Sequence, residues 1–340
     1  MLADHKRFYL PHYEGILKGV KRPYYLLQKQ ANLDLDNENL SLNEAIEKAE
    51  GLSRAIIEGS FSEGKGKVNL LRFKLQILKR MLKSCEFCER RCRVNRCEKL
   101  GSCGVPLNPR IASVFLHYGE EEELVPSLTV FYSGCNFRCV YCQNVDIARF
   151  SFAGEPFQPK RLAKIIEEFD KRAKNVNFVG GDPTPSAHHV FETLVESEFN
   201  LPVIWNSNMY QSLEVQKLLI GVVDLYLADF KYGNDDCALK LSGIKNYTKV
   251  VTRNLEIAIN TADVIIRHLV LPGHLKCCTA PVLEWLAENY PEVNLNVMFQ
   301  YHPCADARNL SGLDRVLSLE EKLKVLEMVR ASRLDNARVG

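Results

Sequence analysis

From residue 126 onward, short apolar runs alternate with helical patterns six times, and this alternation leaves few folds open. The runs are LTVFYSG (128–134), VNFVGG (176–181), PVIWNSN (202–208), DLYLADFK (224–231), VIIRHLVLPG (264–273) and LNVMFQYH (295–302). Helix-period stretches fall near 159–173, 186–196, 212–220, 246–260, 278–289 and 318–331. Six strand-then-helix units predict parallel strands joined by right-handed crossovers, hence an α/β fold that is either a doubly wound sheet or a full or partial barrel. In both, ligands gather at the carboxyl ends of the strands. With 340 residues, 46% of them hydrophobic, the chain can build an ample core for one large α/β domain with appendages.

The strand ends are where polar residues collect. Side chains two apart share a face of a strand, so Leu225, Leu227, Asp229 and Lys231 form one row that turns from apolar to charged as the run finishes. The row carrying Ile204 ends in Asn206 and Asn208, and the row carrying Met298 ends in Gln300 and His302. Arg267 shares a face with Leu269 and Leu271, an unusual place for a guanidinium without an anionic partner. A structural ion pair could explain any one of these; several together predict a site.

Other features narrow the class. The net charge is +2, so no global field recruits nucleic acid or an anionic membrane. The first residues, MLADHKRFYLPHYEGILKGVKRP, lack the apolar stretch of a signal peptide, which predicts a cytoplasmic protein. Twelve cysteines then read as thiols or metal ligands and not as disulfides. Their placement divides the chain into a mainly helical region (1–84, with amphipathic helices near 41–58 and 67–83), a Cys-rich segment (85–125), the strand–helix region (126–310) and a C-terminal helix and tail (311–340). The Cys-rich segment closes on a strand, IASVFLHY, and on GEEEEL (119–124), read as a solvated acidic turn.

Directly after the first run comes GCNFRCVYCQN, with Cys135, Cys139 and Cys142 at C-x3-C-x2-C spacing. Three free thiols, a zinc site completed by a distant ligand, or a cubane iron–sulfur cluster with one iron left open are the alternatives. This stretch, with an aromatic before the last cysteine, resembles the signature of the radical S-adenosylmethionine (SAM) superfamily, and the resemblance runs over about 126–310. Within the superfamily the chain is similar to the pyruvate formate-lyase activating enzymes and their relatives.

That resemblance implies a partial parallel (β/α)6 barrel in which the three cysteines bind a [4Fe-4S] cluster. It implies that one electron from the cluster, delivered by a donor such as flavodoxin or ferredoxin, cleaves SAM to give a 5′-deoxyadenosyl radical for hydrogen abstraction. The target could be a glycyl-radical enzyme. It places Tyr141 beside the adenine and likens Gly180-Gly181-Asp182-Pro183-Thr184 to the GGEP segment, where glycine backbone meets the methionine ammonium. Asp229 and Lys231 match the D-x-K pair, Arg267 matches a methionyl-contacting arginine, and His302 aligns with a histidine near the ribose. The chain departs from the pattern at Asn206-Ser207-Asn208-Met209, where activating enzymes have D-T-N-G; the neutral amide puts the family's monovalent-cation site in doubt.

Upstream, Cys85, Cys88, Cys92 and Cys103 can close a second, four-thiolate site for zinc or an Fe–S cluster, with Cys97 a possible substitute. The interspersed Arg90, Arg91, Arg93 and Arg96 could neutralise thiolates, form a solvated face or make a weak polyanion contact. His188-His189 read as surface residues at a helix start, and Cys277-Cys278 as packing residues at another. The competing reading of the whole chain is a non-catalytic Fe–S or zinc scaffold or electron carrier.

Overall fold

A computed structural model describes residues 7–33, 40–61 and 66–340. Its main sheet contains β1 (Arg110–His117), β2 (Ser127–Tyr132), β3 (Asn175–Gly180), β4 (Val203–Ser207), β5 (Leu225–Asp229), β6 (Asp263–Leu269), β7 (Asn294–Met298) and β8 (Ala337–Val339). From β2 to β8 spatial order follows chain order and every pair is parallel. β1 pairs antiparallel with β2, and a two-residue strand, Glu155–Pro156, pairs with β1 at the edge. The order never reverses, so there is no topological switch point and the doubly wound alternative drops out. Residues from β2 through β7 line one cavity, which requires the sheet to curl into a partial barrel.

Six parallel strands were expected and seven are present. The seventh, Ala337–Val339, is too short for alternation to reveal in sequence. The helices that follow the parallel strands are α5 (Pro159–Glu168), α6 (Ala187–Val195), α7 (Leu213–Leu219), α8 (Asp235–Ser242), α9 (Tyr247–Ile259), α10 (Ala280–Asn289) and α11 (Leu319–Ala331). α8 was not anticipated, although its signals are local: the Asn234 side chain caps the Cys237 N–H, Asp235 and Asp236 occupy the first turn, and Gly243 ends the helix at φ 64°.

Four helices precede the sheet: α1 (Pro11–Leu17), α2 (Tyr24–Gln30), α3 (Leu42–Ile57) and α4 (Leu70–Met81). Ser41 and Glu44 form a capping box on α3, and Asn69 caps α4. α4 buries Leu71, Phe73, Ile77, Leu78 and Met81 and packs on α6, while α3 packs on α7, so this pair thickens the outer helical layer. No helix among the described residues is long and apolar enough to cross a membrane.

The segment around α1 has a different task. Phe8, Leu10 and Tyr13 form a separate apolar cluster with Leu124 and the strand residues Ile204, Leu225, Leu227 and Ile265. These lie on the same strand rows as Asn206, Asp229 and Arg267, nearer the amino ends, so the segment plugs the barrel opposite the cavity. Polar groups at the strand starts hold it there. The Asp263 carboxylate accepts the Tyr13 N–H at 2.7 Å, and Asn175 donates to the Tyr13 hydroxyl at 2.8 Å. Asp224, fully buried, meets His12 Nε2 and accepts the Tyr24 and Val203 N–H groups, each at 2.8 Å.

Asp224→Asn removes the buried charge and turns an amide N–H₂ towards backbone donors. The expected loss of stability is about 3 kcal/mol, read as a lower urea midpoint at unchanged slope; an unchanged midpoint would show that the plug carries no stability.

Candidate active site

The loop at 134–142 connects β2 to the rest of the barrel mouth, and its shape is fixed largely by its neighbours. Gly134 adopts φ 91°, and a Cβ there would sit 2.4 Å from Val105 Cγ2 and 3.1 Å from the Cys103 carbonyl oxygen. The Arg138 N–H donates to the Ser242 carbonyl at 3.1 Å and the Val140 N–H to the Leu241 carbonyl at 2.9 Å, satisfying carbonyls that the end of α8 leaves open. The Ser242 hydroxyl then donates to Cys139 Sγ at 3.0 Å, and the Phe137 N–H to Cys135 Sγ at 3.3 Å.

The three thiols of the loop line a cavity of about 600 Å³ at the carboxyl ends of the strands, within the range of small-molecule sites. Around them stand Tyr141, Gly180, Gly181, Asp182, Asn206, Asn208, Asp229, Lys231 and Arg267, and Gln300 among the polar strand ends. His302 is the exception. β7 ends at Met298; Gln300 still lines the cavity, but His302 does not and is exposed, 3.5 Å from Gln143 Nε2.

Local contacts revise several expected roles. Gly180 has φ 132°, and a Cβ on it would lie 2.0 Å from the Tyr132 carbonyl oxygen; one on Gly181 would lie 2.2 Å from that of Gly134. These glycines are therefore required by backbone packing of β3 against β2 and the Cys loop, whatever ligand they also face. Asp182, 2% exposed, accepts the Thr184 and Asn208 N–H groups at 2.9 Å each and so ties the ends of β3 and β4 together. Burial outweighs those bonds and raises its carboxyl to about 6. Asn208 donates to the Asn136 side chain at 2.7 Å, and Met209, in the glycine position of the family pattern, holds a left-handed φ of 56° while fully buried.

Arg267 has the anionic partner its position demanded, and that partner is the acidic turn. Its Nε donates to Glu121 Oε1 at 2.9 Å, its Nη2 meets Glu120, and Asn296 donates to Glu121 at 2.9 Å. Burial alone would raise the Glu121 carboxyl; the Arg267 guanidinium reverses this and holds it near 2. Glu123 is buried too, paired with Arg338. The solvated-turn reading of 119–124 is thus corrected, Glu122 alone of the four being well exposed. The partners lie some 146 residues away, beyond the reach of local charge pattern.

Two further readings change. His188 and His189 are buried, each 4% exposed; their Nε2 atoms meet the Leu107 and Phe157 carbonyls at 2.7 and 2.8 Å, and His189 Nδ1 meets the Tyr132 hydroxyl at 2.9 Å. The arginines of the Cys-rich segment are engaged within the protein. Arg91 meets Glu86, Glu89 and Glu214; Arg96 is buried against the Pro185, Val105 and Pro106 carbonyls; Arg90 reaches the Asn136 carbonyl beside Cys135.

The donor set at the loop fits a metal cluster. Cys135, Cys139 and Cys142 are free thiols, and burial pushes all three up, at Cys139 and Cys142 despite the nearby Lys231, so ionised sulfur there needs further positive charge, which bound iron would supply. A hydrogen-bond chain runs from the Tyr141 hydroxyl to that of Tyr232 (2.7 Å), on to Ser242 (2.5 Å) and so to Cys139. The sequence reading did not anticipate Ser242, because α8 was not anticipated, nor Tyr232, which lies just past the end of β5. Upstream, Cys85, Cys88, Cys92 and Cys103 are within electrostatic reach of one another, while Cys97 is exposed.

Known proteins resemble the chain in sequence and, more distantly, in fold. The Radical SAM superfamily model matches residues 129–286. The chain is 46% identical over 275 residues to the uncharacterized protein MJ0674 of Methanocaldococcus jannaschii, covering 79% of this chain and 81% of that one. It is 26% identical over 163 residues to the pyruvate formate-lyase-activating enzyme of Staphylococcus aureus, covering 43% of this chain and 62% of that enzyme. A crystal structure of Streptococcus suis SuiB bound to precursor peptide SuiA aligns at TM-score 0.48 and 10% identity, over 90% of this chain and 68% of that one. The cysteine signature, its place after the first parallel strand and the family match meet in one assignment: the chain belongs to the radical SAM superfamily.

Proposed function

We propose that this chain is an enzyme that cleaves SAM reductively at the cavity and uses the resulting radical to abstract hydrogen. The observation that carries the reading is the convergence of three cysteine thiols with polar strand ends on one cavity. When bound, a [4Fe-4S] cluster supplies the single electron for that cleavage. The chain's own part is to bind, orient and exclude water. Cys135, Cys139 and Cys142 supply the thiolates, and the Ser242 hydroxyl and Phe137 N–H stabilise negative charge on two of them. Lys231, 2.7 Å from Asp229, holds a positive charge beside Cys139 and Cys142. Asn206, 8% exposed, faces the cavity with no side-chain hydrogen-bond partner among the described residues, and so is left for a polar group of the cofactor. Arg267 is already neutralised by two carboxylates, which argues against its taking the methionyl carboxylate as the resemblance implied.

The finer reading is hydrogen abstraction from a glycine Cα of a glycyl-radical enzyme, after electron delivery by a flavodoxin or ferredoxin. Its support is the stretch of identity with the activating enzyme and a mouth open to large substrates. Exposed Gln143, Asn144 and Gln300 line that mouth, and no described residue of 1–84 does. We assign the four upstream thiols to a second zinc or Fe–S centre beside the Cys loop, where Cys103 abuts Gly134.

Three measurements test this. After anaerobic reconstitution with iron and sulfide and reduction by dithionite, the protein is expected to release 5′-deoxyadenosine from SAM, and Cys139→Ala to lose both the product and the triad's share of bound iron; undiminished product in that variant would contradict the assignment. Ser242→Ala should keep its iron but lose about tenfold in rate, with a shifted reduction midpoint. Asn206→Ala should raise the KM for SAM by about tenfold, as expected for one lost hydrogen bond to a ligand. A glycyl-radical signal on mixing with a glycyl-radical enzyme decides the finer reading.

A further inference from the structure

Away from the cavity, four metal-ligating side chains converge, three from the stretch His274–Cys278 and the fourth, Cys237, from 37 residues before His274. The ligand atoms of Cys237, His274, Cys277 and Cys278 all lie within 4.8 Å of one another, and no other set of three or more Cys, His, Asp or Glu among the described residues converges so closely. His274 Nδ1 is 3.3 Å from Cys277 Sγ and 3.6 Å from Cys237 Sγ. A tetrahedral ion with metal–sulfur bonds of about 2.3 Å and a metal–nitrogen bond of about 2.0 Å requires sulfur–nitrogen edges of about 3.5 Å. The observed edges bracket that value. None of the three cysteines is in a disulfide.

We propose that Cys237, His274, Cys277 and Cys278 form a structural zinc site of three thiolates and one imidazole. It stands independently of the radical chemistry proposed above. Soft sulfur donors with one imidazole suit zinc, and four protein ligands leave no position open, as structural sites require.

The backbone is built around this cluster. Cys237 lies in the first turn of α8, where the helix dipole favours a thiolate. Cys277 and Cys278 lie in a π-helical turn, Leu275–Thr279, that opens α10; such turns are rare and collect at functional sites. The two halves are pressed together. A Cβ on Gly233 would lie 2.8 Å from the Cys278 carbonyl oxygen and 2.9 Å from that of Cys277, and Asn234 Nδ2 donates to the Cys277 carbonyl at 2.6 Å. Cys278 is buried and the other three are half-buried, which gives an ion an entry path. On binding, the three thiols give up their protons to solvent and no redox partner is needed.

The ion clamps the first turn of α8 to the loop after β6. The last turn of that helix holds the Cys loop through the Leu241 and Ser242 carbonyls and the Ser242 hydroxyl. The zinc site therefore steadies the far end of the element that positions Cys139.

Metal analysis and zinc-edge X-ray absorption on the full chain, purified anaerobically from zinc-supplemented medium, test the proposal. The wild type should carry about one zinc per chain at this site, with a nitrogen scatterer at about 2.0 Å that an all-sulfur site cannot give. The double variant Cys277→Ser/Cys278→Ser should lose about one zinc per chain and the nitrogen signature, and keep the iron bound by Cys135, Cys139 and Cys142. Cys85→Ser/Cys88→Ser should leave the nitrogen signature intact. Should the double serine variant not fold, His274→Gln provides the same reading through loss of the nitrogen scatterer alone. Wild-type protein without zinc, or with zinc bound only by sulfur, overturns the proposal, as does a folded double variant with unchanged zinc content.

Discussion

The last turn of α8 is the point on which the rest of the site depends. A helix end leaves carbonyls without intrahelical partners, and buried orphans of this kind cost on the order of 1–3 kcal/mol each. Here two of them are satisfied by the Arg138 and Val140 N–H groups of the loop that carries the three cysteines. The same turn contributes the Ser242 hydroxyl to Cys139. A loop of three soft ligands has no rigidity of its own, and its geometry is borrowed from an adjacent helix.

The helix is in turn held at both ends. Its start is stitched to the π-helical turn by Asn234 and the close approach at Gly233, and its finish meets Tyr232, which is bonded to both Ser242 and Tyr141. The barrel beneath is stiffened from the opposite side, where Phe8, Leu10 and Tyr13 fill its base and Asp224 gathers three donors. Site and plug occupy opposite ends of the same strand rows: Leu225 and Leu227 face the plug, and Asp229 faces the cavity. One alternating row thus serves stability at its amino end and chemistry at its carboxyl end, the division of labour known for barrels.

How much of this could be read from residues alone follows from the range over which each signal acts. Alternation over five or six residues located the long parallel strands, and the switch to polar residues located the cavity wall, because both are properties of one strand. Extrapolating the same rule past the end of a strand failed at His302, since alternation has meaning only while the backbone is extended, and β7 stops at Met298. It held at Lys231, two residues past Asp229, where the side chain still reaches the cavity. The acidic turn at 119–124 was misread for a different reason. A run of four glutamates is solvated unless cations are brought to it, and Arg267 and Arg338 arrive from more than a hundred residues away.

The same limit separates the cysteine sets. Cys135, Cys139 and Cys142 declare themselves by spacing because a single loop holds them. Cys237 lies 37 residues before His274 and belongs to a different strand–helix unit, so only the parallel order of β5 and β6 brings the two loops side by side. Neighbouring strands in a singly wound barrel always present consecutive loops to each other at the carboxyl end. Ligands divided between consecutive loops are therefore as natural to this fold as ligands within one loop, and they differ in consequence. Ligands within one loop set the loop's own shape, whereas ligands shared between two fix one strand–helix unit against the next.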